Sequence, residues 1–139
     1  MIQKYTVSRD DSIYEAFPDL TLTKDGRLLC VFEECIHHLD RSWTQLVLTE
    51  SSDRGRTWSP KRPLTEPTNG NRYWNCPRIC TLRDGRVALI ADFVSTSERS
   101  KDLHLLKNFL FISHDHGQTW DEPILLPMQG IMPDKLIEL

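Results

Sequence analysis

A chain of 139 residues in which 39% of the side chains are hydrophobic and 27% are charged has the composition of a folded globular domain. The formal net charge of −3, without a basic stripe, argues against a nucleic-acid-binding surface, and no apolar run approaches the roughly 20 residues of a membrane-spanning helix. The first residues lack the apolar core of a secretory signal. We therefore expect a cytoplasmic protein without nucleic-acid or membrane partners.

The first half of the chain predicts four β-strands in succession. DLTLT alternates apolar and polar residues and runs into Asp25-Gly26, a strong hairpin signal. RLLCVFEE is a continuous apolar run, which is typical of a strand covered on both faces. The polar stretch CIHHLDRSW then predicts a loop, and TQLVLTES alternates again. SSDRGRTW predicts a tight turn before a short last strand within TWSPKRPL.

The second half repeats the first. RICTL, RVALIADF, LLKNFLFIS and TWDEPILLP follow one another in the same order, and Pro77 and Asp84-Gly85 match Pro18 and Asp25-Gly26. The second copy carries three extra residues, which we place in the polar stretch VSTSERSKD. In GIMPDKLIEL, Pro133 stands where Pro18 and Pro77 stand, so this segment predicts the start of a third copy.

A four-stranded antiparallel unit repeated every 40 to 60 residues is the signature of a propeller blade. The sequence thus predicts an all-β fold with blade one at about 12–66, blade two at about 70–128 and the start of blade three at 129–139. Propellers have at least about four blades. We therefore expect an N-terminal fragment of a longer protein, and self-association through its open blade faces.

The turn motif SxDxGxTW occurs once in each copy, and each residue type in it has a structural reason. The aspartate accepts backbone N–H bonds, the glycine permits a positive φ, the hydroxyls bond across the turn, and the tryptophan is expected to pack between neighbouring sheets. A carboxylate saturated by such donors has a lowered pKa and is unsuited to acid catalysis. The residues are Ser51, Asp53, Gly55, Thr57, Trp58, Ser113, Asp115, Gly117, Thr119 and Trp120.

Four cysteines are present, and Cys76-x3-Cys80 together with His37 and His38 invites a metal-site interpretation. The spacing is looser than the usual C-x2-C pattern and falls in a predicted strand. Buried free cysteine commonly acts as a small hydrophobic residue. We therefore expect free thiols, no metal and no cofactor.

SSDRGRTW and SHDHGQTW resemble the Asp-box (BNR) repeats of the sialidase superfamily, and the strands that precede them resemble the first strands of its blades. The resemblance implies a six-bladed propeller. It also implies a retaining glycoside hydrolase with a tyrosine nucleophile, an aspartate acid/base and three arginines that bind the substrate carboxylate. The nucleophile and two of the arginines would lie beyond residue 139.

Carried onto this chain, the resemblance places the acid/base at Asp40, within CIHHLDRSW. His37, His38 and Arg41 would line the substrate site, joined by Asn75 and Arg78 from the second copy. The alternative is a solvated loop in which Asp40 pairs with Arg41. Glu34, Tyr73, Trp74 and Asp92 are weaker candidates for the same rim.

The chain departs from the family at one position, because Ala16 stands where the first arginine is expected and Asn75 stands there in the second copy. The leading hypothesis is a sialidase-like glycoside hydrolase acting on glycans. The alternative is a non-catalytic propeller that binds carbohydrate or protein, in which Tyr73 and Trp74 would matter more than Asp40. A lyase or isomerase on the same scaffold is a third.

Overall fold

The computed structural model describes residues 2–95, 106–128, 130 and 134–139. Its regular elements in these ranges are all β-strands, and all their pairings are antiparallel. No helix in the described ranges is long and apolar enough to cross a membrane. Most of VSTSERSKD, and Pro133, lie outside the described residues, so the position of the extra residues and the start of a third copy stay predictions.

The first sheet is formed by the first half of the chain. Its four strands pair in chain order, as the sequence predicts, and a short fifth strand also pairs with the third. The extra strand was not predicted, since two residues carry no periodicity. The strands are β1 (Tyr14–Leu22), β2 (Leu28–His37), β3 (Asp40–Ser51), β4 (Arg62–Pro63) and β5 (Thr68–Asn69).

The second sheet repeats the order of the first, with its four strands again paired in sequence. Both sheets begin with a long strand and an Asp-Gly hairpin and end in a strand of two residues. This arrangement confirms the all-β, antiparallel prediction for each half. The strands are β6 (Arg72–Thr81), β7 (Val87–Ser95), β8 (Leu106–Ser113) and β9 (Ile124–Leu125).

The main core lies between the two sheets. Alternate residues of β2 and β3 form one buried cluster with Trp74 and Ile79 of β6, alternate residues of β7 and Phe111 of β8, which excludes water from both inner faces. Trp120 packs against this core, as expected for a ring between sheets. Trp58 packs instead on the opposite face of the first sheet, against Cys30, Phe32 and Val47. Trp58 thus does not pack between two sheets as expected, because the described residues place no second sheet on that side of the first sheet.

The first strand of each sheet carries a β-bulge at a proline. The register shifts between Ala16 and Asp19 in β1 and between Asn75 and Arg78 in β6. Phe17 and Cys76, each directly before a proline, have φ values of +51° and +45°. Such left-handed conformations are unfavourable for residues with a side chain, and proline cannot donate to the ladder. Each bulge shifts the register of the first residues of its strand against the neighbouring strand.

The stretch CIHHLDRSW is not the loop that its polarity predicts. β2 continues to His37, β3 starts at Asp40, and these two residues pair directly, leaving His38 and Leu39 as a two-residue turn. The prediction of a long loop was wrong because polar side chains at the end of a hairpin remain solvated. Their polarity therefore says little about backbone pairing.

Candidate functional site

The candidate residues lie at the rim where β2 ends and where β1, β3 and β6 begin. Asp40 and Ser51 are the two ends of β3, so this rim and the first SxDxGxTW turn lie roughly 36 Å apart along the strand. The rim therefore carries the residues predicted to bind substrate, and the opposite end carries the structural turn.

Asp40 is exposed at the start of β3, and its Oδ1 accepts a hydrogen bond from the backbone N–H of Ser42 at 3.0 Å. Hydrogen bonds from the side chain and backbone of Ser42 hold the pKa of Asp40 below its usual value. A general acid needs a raised pKa. At the uncovered rim the pKa of Asp40 is lowered instead. The catalytic role of Asp40 therefore stays a prediction.

Arg41 does not form the charge pair with Asp40 that the alternative interpretation of the sequence expected. Its guanidinium forms an ion pair with Glu33, Nε donates to the carbonyl oxygen of His38 at 3.1 Å, and the group lies 5.4 Å from the centroid of the Phe17 ring. The side chain of Arg41 is 14% exposed and that of Glu33 is 0% exposed. Arg41 is therefore a fixed residue at the edge of the core.

Glu33 is the residue of this site that the sequence analysis missed. Burial raises the pKa of its carboxyl to about 6, although the bond from Arg41 acts in the other direction. Among the described residues Oε2 has no hydrogen-bond partner. Leu29, Val31 and Glu33 alternate along β2, and this period of two places Glu33 on the core face.

Ala16 lies directly opposite Glu33 in the β1–β2 register. The position where the resemblance expects an arginine thus borders the carboxylate that Arg41 neutralises. The neighbouring Glu34, which the sequence made a candidate, points to the other side of the sheet and forms an ion pair with Lys61. Lys61 also pairs with Asp10 and Glu15, so Glu34 belongs to a structural network.

His37 and His38 form a row of rings with two aromatic residues of β1. The centroid of the Tyr14 ring lies 5.9 Å from that of each histidine, and Phe17 lies 6.3 Å from His38. Both histidines are exposed, and Tyr14 is 39% exposed. We call Tyr14, Phe17, His37 and His38 the aromatic rim.

Asn75 and Arg78 are separated by the second bulge. Asn75 pairs with Asp92 in the β6–β7 register and is half-buried. Nη1 of Arg78 donates to the carbonyl oxygens of Pro77 at 2.8 Å and Phe17 at 3.4 Å. Arg78 therefore links the two bulges.

Tyr73 and Trp74 differ in their surroundings. Burial raises the pKa of Tyr73, and the charges of Arg41 and Glu33 act on its hydroxyl, which places Tyr73 beside the rim. Trp74 is buried, with its ring centroid 4.7 Å from that of Phe93. Trp74 is a core residue and offers no exposed stacking face.

Asp92 occupies in β7 the place that Glu33 occupies in β2. It is fully buried and accepts a hydrogen bond from Nδ2 of Asn108 at 2.8 Å, and the same amide donates to the carbonyl oxygen of Gly130 at 2.9 Å. Each copy thus has one fully buried carboxylate near this rim, and each accepts a hydrogen bond from a residue of the next strand, Arg41 of β3 or Asn108 of β8.

Both SxDxGxTW turns show the same hydrogen bonds. In the first, the backbone N–H of Thr57 donates to Oδ1 of Asp53 at 2.9 Å, its hydroxyl donates to Oδ2 at 2.7 Å, and Gly55 donates to Oγ of Ser51 at 2.8 Å. In the second, Thr119, Asp115, Gly117 and Ser113 make the equivalent bonds at 2.8, 2.6 and 2.7 Å. Gly55 and Gly117 have φ values of +82° and +87°, so the turn uses the freedom of glycine.

The four cysteines are free thiols. In the described part of the chain, no group of three His, Cys, Asp or Glu side chains is arranged to hold a metal ion.

Comparisons with known proteins relate this chain to sialidases. No family model matches it. Sialidase-2 from Mus musculus is 35% identical over 95 residues, covering 60% of this chain and 24% of the mouse protein, so the chain spans about a quarter of that relative. The chain thus has distant similarity to a sialidase.

Two solved structures share the fold. A protein of unknown function from Dyadobacter fermentans superposes with a TM-score of 0.69 and 21% identity over 86% of this chain and 38% of its own. The Hadza microbial sialidase Hz136 gives a TM-score of 0.67 and 20% identity over 80% of this chain and 25% of its own. These two matches support a sialidase-like all-β fold.

Proposed function

We propose that the chain is part of a sialidase-like glycoside hydrolase on a six-bladed Asp-box propeller, and that its rim binds glycan. The supporting observation is the grouping of Asp40, Arg41, Glu33 and the aromatic rim at the strand ends opposite the Asp boxes, in a chain similar to a sialidase. Charged hydrogen-bonding groups beside exposed rings are suited to sugar hydroxyls and sugar ring faces.

In this proposal Asp40 protonates the leaving group. Its carboxyl is exposed and held ionised by Ser42. A bound glycan that excludes water from the rim penalises the charged form and raises the pKa toward the range that acid catalysis needs. His37 and His38, beside Asp40 in the hairpin, would then contact the leaving-group side of the glycan.

The test is turnover of a panel of aryl glycosides by the full-length protein and its Asp40→Asn variant. We expect kcat to fall by about 10²–10⁴-fold for poor leaving groups, since a positioned acid contributes that much, and by far less for a dinitrophenolate, which needs no proton. Asp121→Asn, an exposed aspartate beyond the second Asp box, is the matched control. Equal turnover of all leaving groups by Asp40→Asn and the parent would remove Asp40 from the mechanism.

The second candidate function is non-catalytic carbohydrate binding by the same rim. The observation that favours it is Ala16, which stands where the resemblance expects a substrate-binding arginine. Isothermal titration of the full-length protein with the unlabelled glycosides separates the two functions. Binding without turnover by the parent protein identifies a binding propeller, and turnover identifies a hydrolase.

A further inference from the structure

Arg41 is held on three sides and retains donors for a ligand. Nη1 is bonded to Glu33, Nε to the backbone of His38, and the plane of the group lies near the Phe17 ring. Among the described residues, no protein acceptor bonds to Nη2. Because the side chain is 14% exposed, the guanidinium is at the surface of the rim and is not enclosed in the core.

The buried carboxylate of Glu33 cancels the charge of Arg41. Glu33 is 0% exposed, so water screens the pair weakly and the two charges compensate each other at close range. A compensated guanidinium still donates hydrogen bonds, but it offers little net positive potential to an anion. Hydroxyl and ether oxygens are therefore better partners for Nη2 than a carboxylate.

The aromatic rim lies beside these donors. Phe17 contacts both Arg41 and His38, and Tyr14 contacts both histidines, so the rings form a continuous row from the guanidinium to the end of the hairpin. Phe17 is fixed by a strained backbone at φ +51°, which presents its ring at the bulge. Exposed aromatic faces bind apolar surfaces, and the C–H face of a pyranose is one.

We propose that Arg41, positioned and charge-compensated by Glu33, binds the hydroxyl oxygens of a neutral sugar unit that lies against the aromatic rim. The ligand class is an uncharged pyranose within a glycan, and acidic sugars are disfavoured at this subsite. The inference deepens the proposed function and rests on it only in taking the rim as a glycan-binding surface.

The first test compares two probes that differ only at C6, methyl glucoside and methyl glucuronide. We expect the full-length protein to bind the glucoside at least about tenfold more tightly by isothermal titration. We expect Arg41→Ala to remove most of that affinity, and Arg41→Lys to do so nearly as well because lysine lacks the planar fork. Tighter binding of the glucuronide, or unchanged glucoside affinity in both variants, overturns the proposal.

The second test separates positioning from structural support by Glu33. Glu33→Gln keeps the side-chain shape and leaves Arg41 uncompensated, so we expect affinity for methyl glucuronide to rise relative to the glucoside. Equal weakening of both probes would show a merely structural role and overturn the charge argument. Unfolding curves of the variant establish that it is folded when its affinity is measured.

A third variant remains informative if the buried substitution prevents folding. Tyr14 is 39% exposed, so Tyr14→Ala leaves the core intact, and we expect it to weaken both probes by a similar factor through the loss of stacking. Tyr5→Ala, 47% exposed and outside the aromatic rim, is the matched control with no expected change. Equal behaviour of the two tyrosine variants contradicts the aromatic part of the site.

The outcomes distinguish this inference from the proposed hydrolysis. Glucoside binding that depends on Arg41, in a protein without glycosidase activity, supports the subsite and contradicts hydrolysis. Turnover that depends on Asp40 but is indifferent to Arg41 and prefers acidic sugars supports hydrolysis and contradicts the subsite. Absence of binding to either probe by the folded full-length protein overturns the subsite.

Discussion

Asp53 and Asp115 each accept several hydrogen bonds from their own turns and remain at the surface. Three of the bonds to Asp53 come from residues within four positions of it, Ser51, Arg56 and Thr57. Backbone and side-chain bonds from Thr57 lower the pKa of Asp53 to about 2, and bonds from Thr119 and Ser113 outweigh burial to lower that of Asp115 to about 2. The ionised carboxylates are thus part of the folded turn.

We predict that both turns lose stability in acid. An aspartate whose pKa falls from an ordinary 3.8 to about 2 on folding contributes stability that is fully present above pH 3.8 and is lost as the pH falls toward 2. The thermal midpoint should therefore decline across this window. Asp53→Asn and Asp115→Asn should be less stable at neutral pH and should flatten the decline, as followed by circular dichroism. Parallel pH profiles for parent and variants would contradict the prediction.

The two kinds of polar cluster differ in how well a sequence predicts them. The bonds of the SxDxGxTW turns join neighbours within a few residues, so residue type and spacing are sufficient to infer them. Glu33 and Arg41 are eight positions apart in the sequence, and their pairing depends on the burial of Glu33 by the second sheet, which no local sequence pattern predicts. For the same reason the sequence analysis named Glu34 and not Glu33 as a candidate, and its alternative interpretation paired Arg41 with Asp40.

At the scale of the elements, the second SxDxGxTW turn joins one sheet to the other. The guanidinium of Arg62 in β4 donates to the carbonyl oxygen of Gly117, and Nε2 of Gln118 donates to Oε2 of Glu50 at 3.0 Å. A Cβ atom added to Gly117 would overlap Cδ1 of Leu29, a fully buried core residue. At Gly55 the nearest atom would be Cδ1 of Leu28 at an ordinary 3.5 Å. The repeated turn therefore has two different environments.

This difference predicts unequal effects of one substitution. Gly55→Ala and Gly117→Ala carry the same backbone strain, about 1 kcal/mol for a positive φ. Gly117→Ala should cost about 1–3 kcal/mol more, because it overpacks the contact with Leu29. Urea denaturation of the two variants measures the difference. Gly117→Ala should also cost less free energy of unfolding when it is made in a Leu29→Ala background than in the parent, because part of the overpacking is then relieved. Equal losses in the two single variants would show that the turn does not pack on the first sheet.

Strand order was predictable because each hairpin is specified locally, by Asp-Gly pairs and by the alternation of β1, β3 and β6. The bulges were not read as such, although Pro18 and Pro77 mark them in the repeat. The rim hairpin was mistaken for a loop because solvated side chains at His37, His38 and Asp40 conceal a paired backbone. The features that give the site its geometry are thus the ones with the weakest sequence signal.

At the scale of the whole molecule, the outer face of the first sheet is apolar and incompletely covered. Leu20 and Leu22 are 46% and 60% exposed, and in the β1–β2 register they lie beside Cys30 and Leu28. A cavity of about 240 Å³ opens on this side, lined by Val7, Ser8, Glu15, Pro18, Cys30 and Phe32. Apolar faces of this kind associate in water, and β1 is also an edge strand with an unpaired backbone side.

We therefore predict that the 139-residue chain self-associates and that charges on this face reduce association. Leu20→Lys combined with Leu22→Lys should shift the sedimentation profile toward the monomer without lowering the unfolding midpoint, because both side chains are exposed.

Leu39→Lys is the control. Leu39 is 87% exposed, more than Leu20 or Leu22, so its replacement removes more exposed apolar surface, but it lies in the rim turn, at the opposite end of β2 from the residues that pair with Leu20 and Leu22. If Leu39→Lys shifts the sedimentation profile toward the monomer as much as the double variant does, the chains associate through the rim and the prediction for the outer face is wrong. A parent chain that stays monomeric as its concentration rises would contradict the prediction, because residues 2–13 and Trp58 would then cover the face sufficiently.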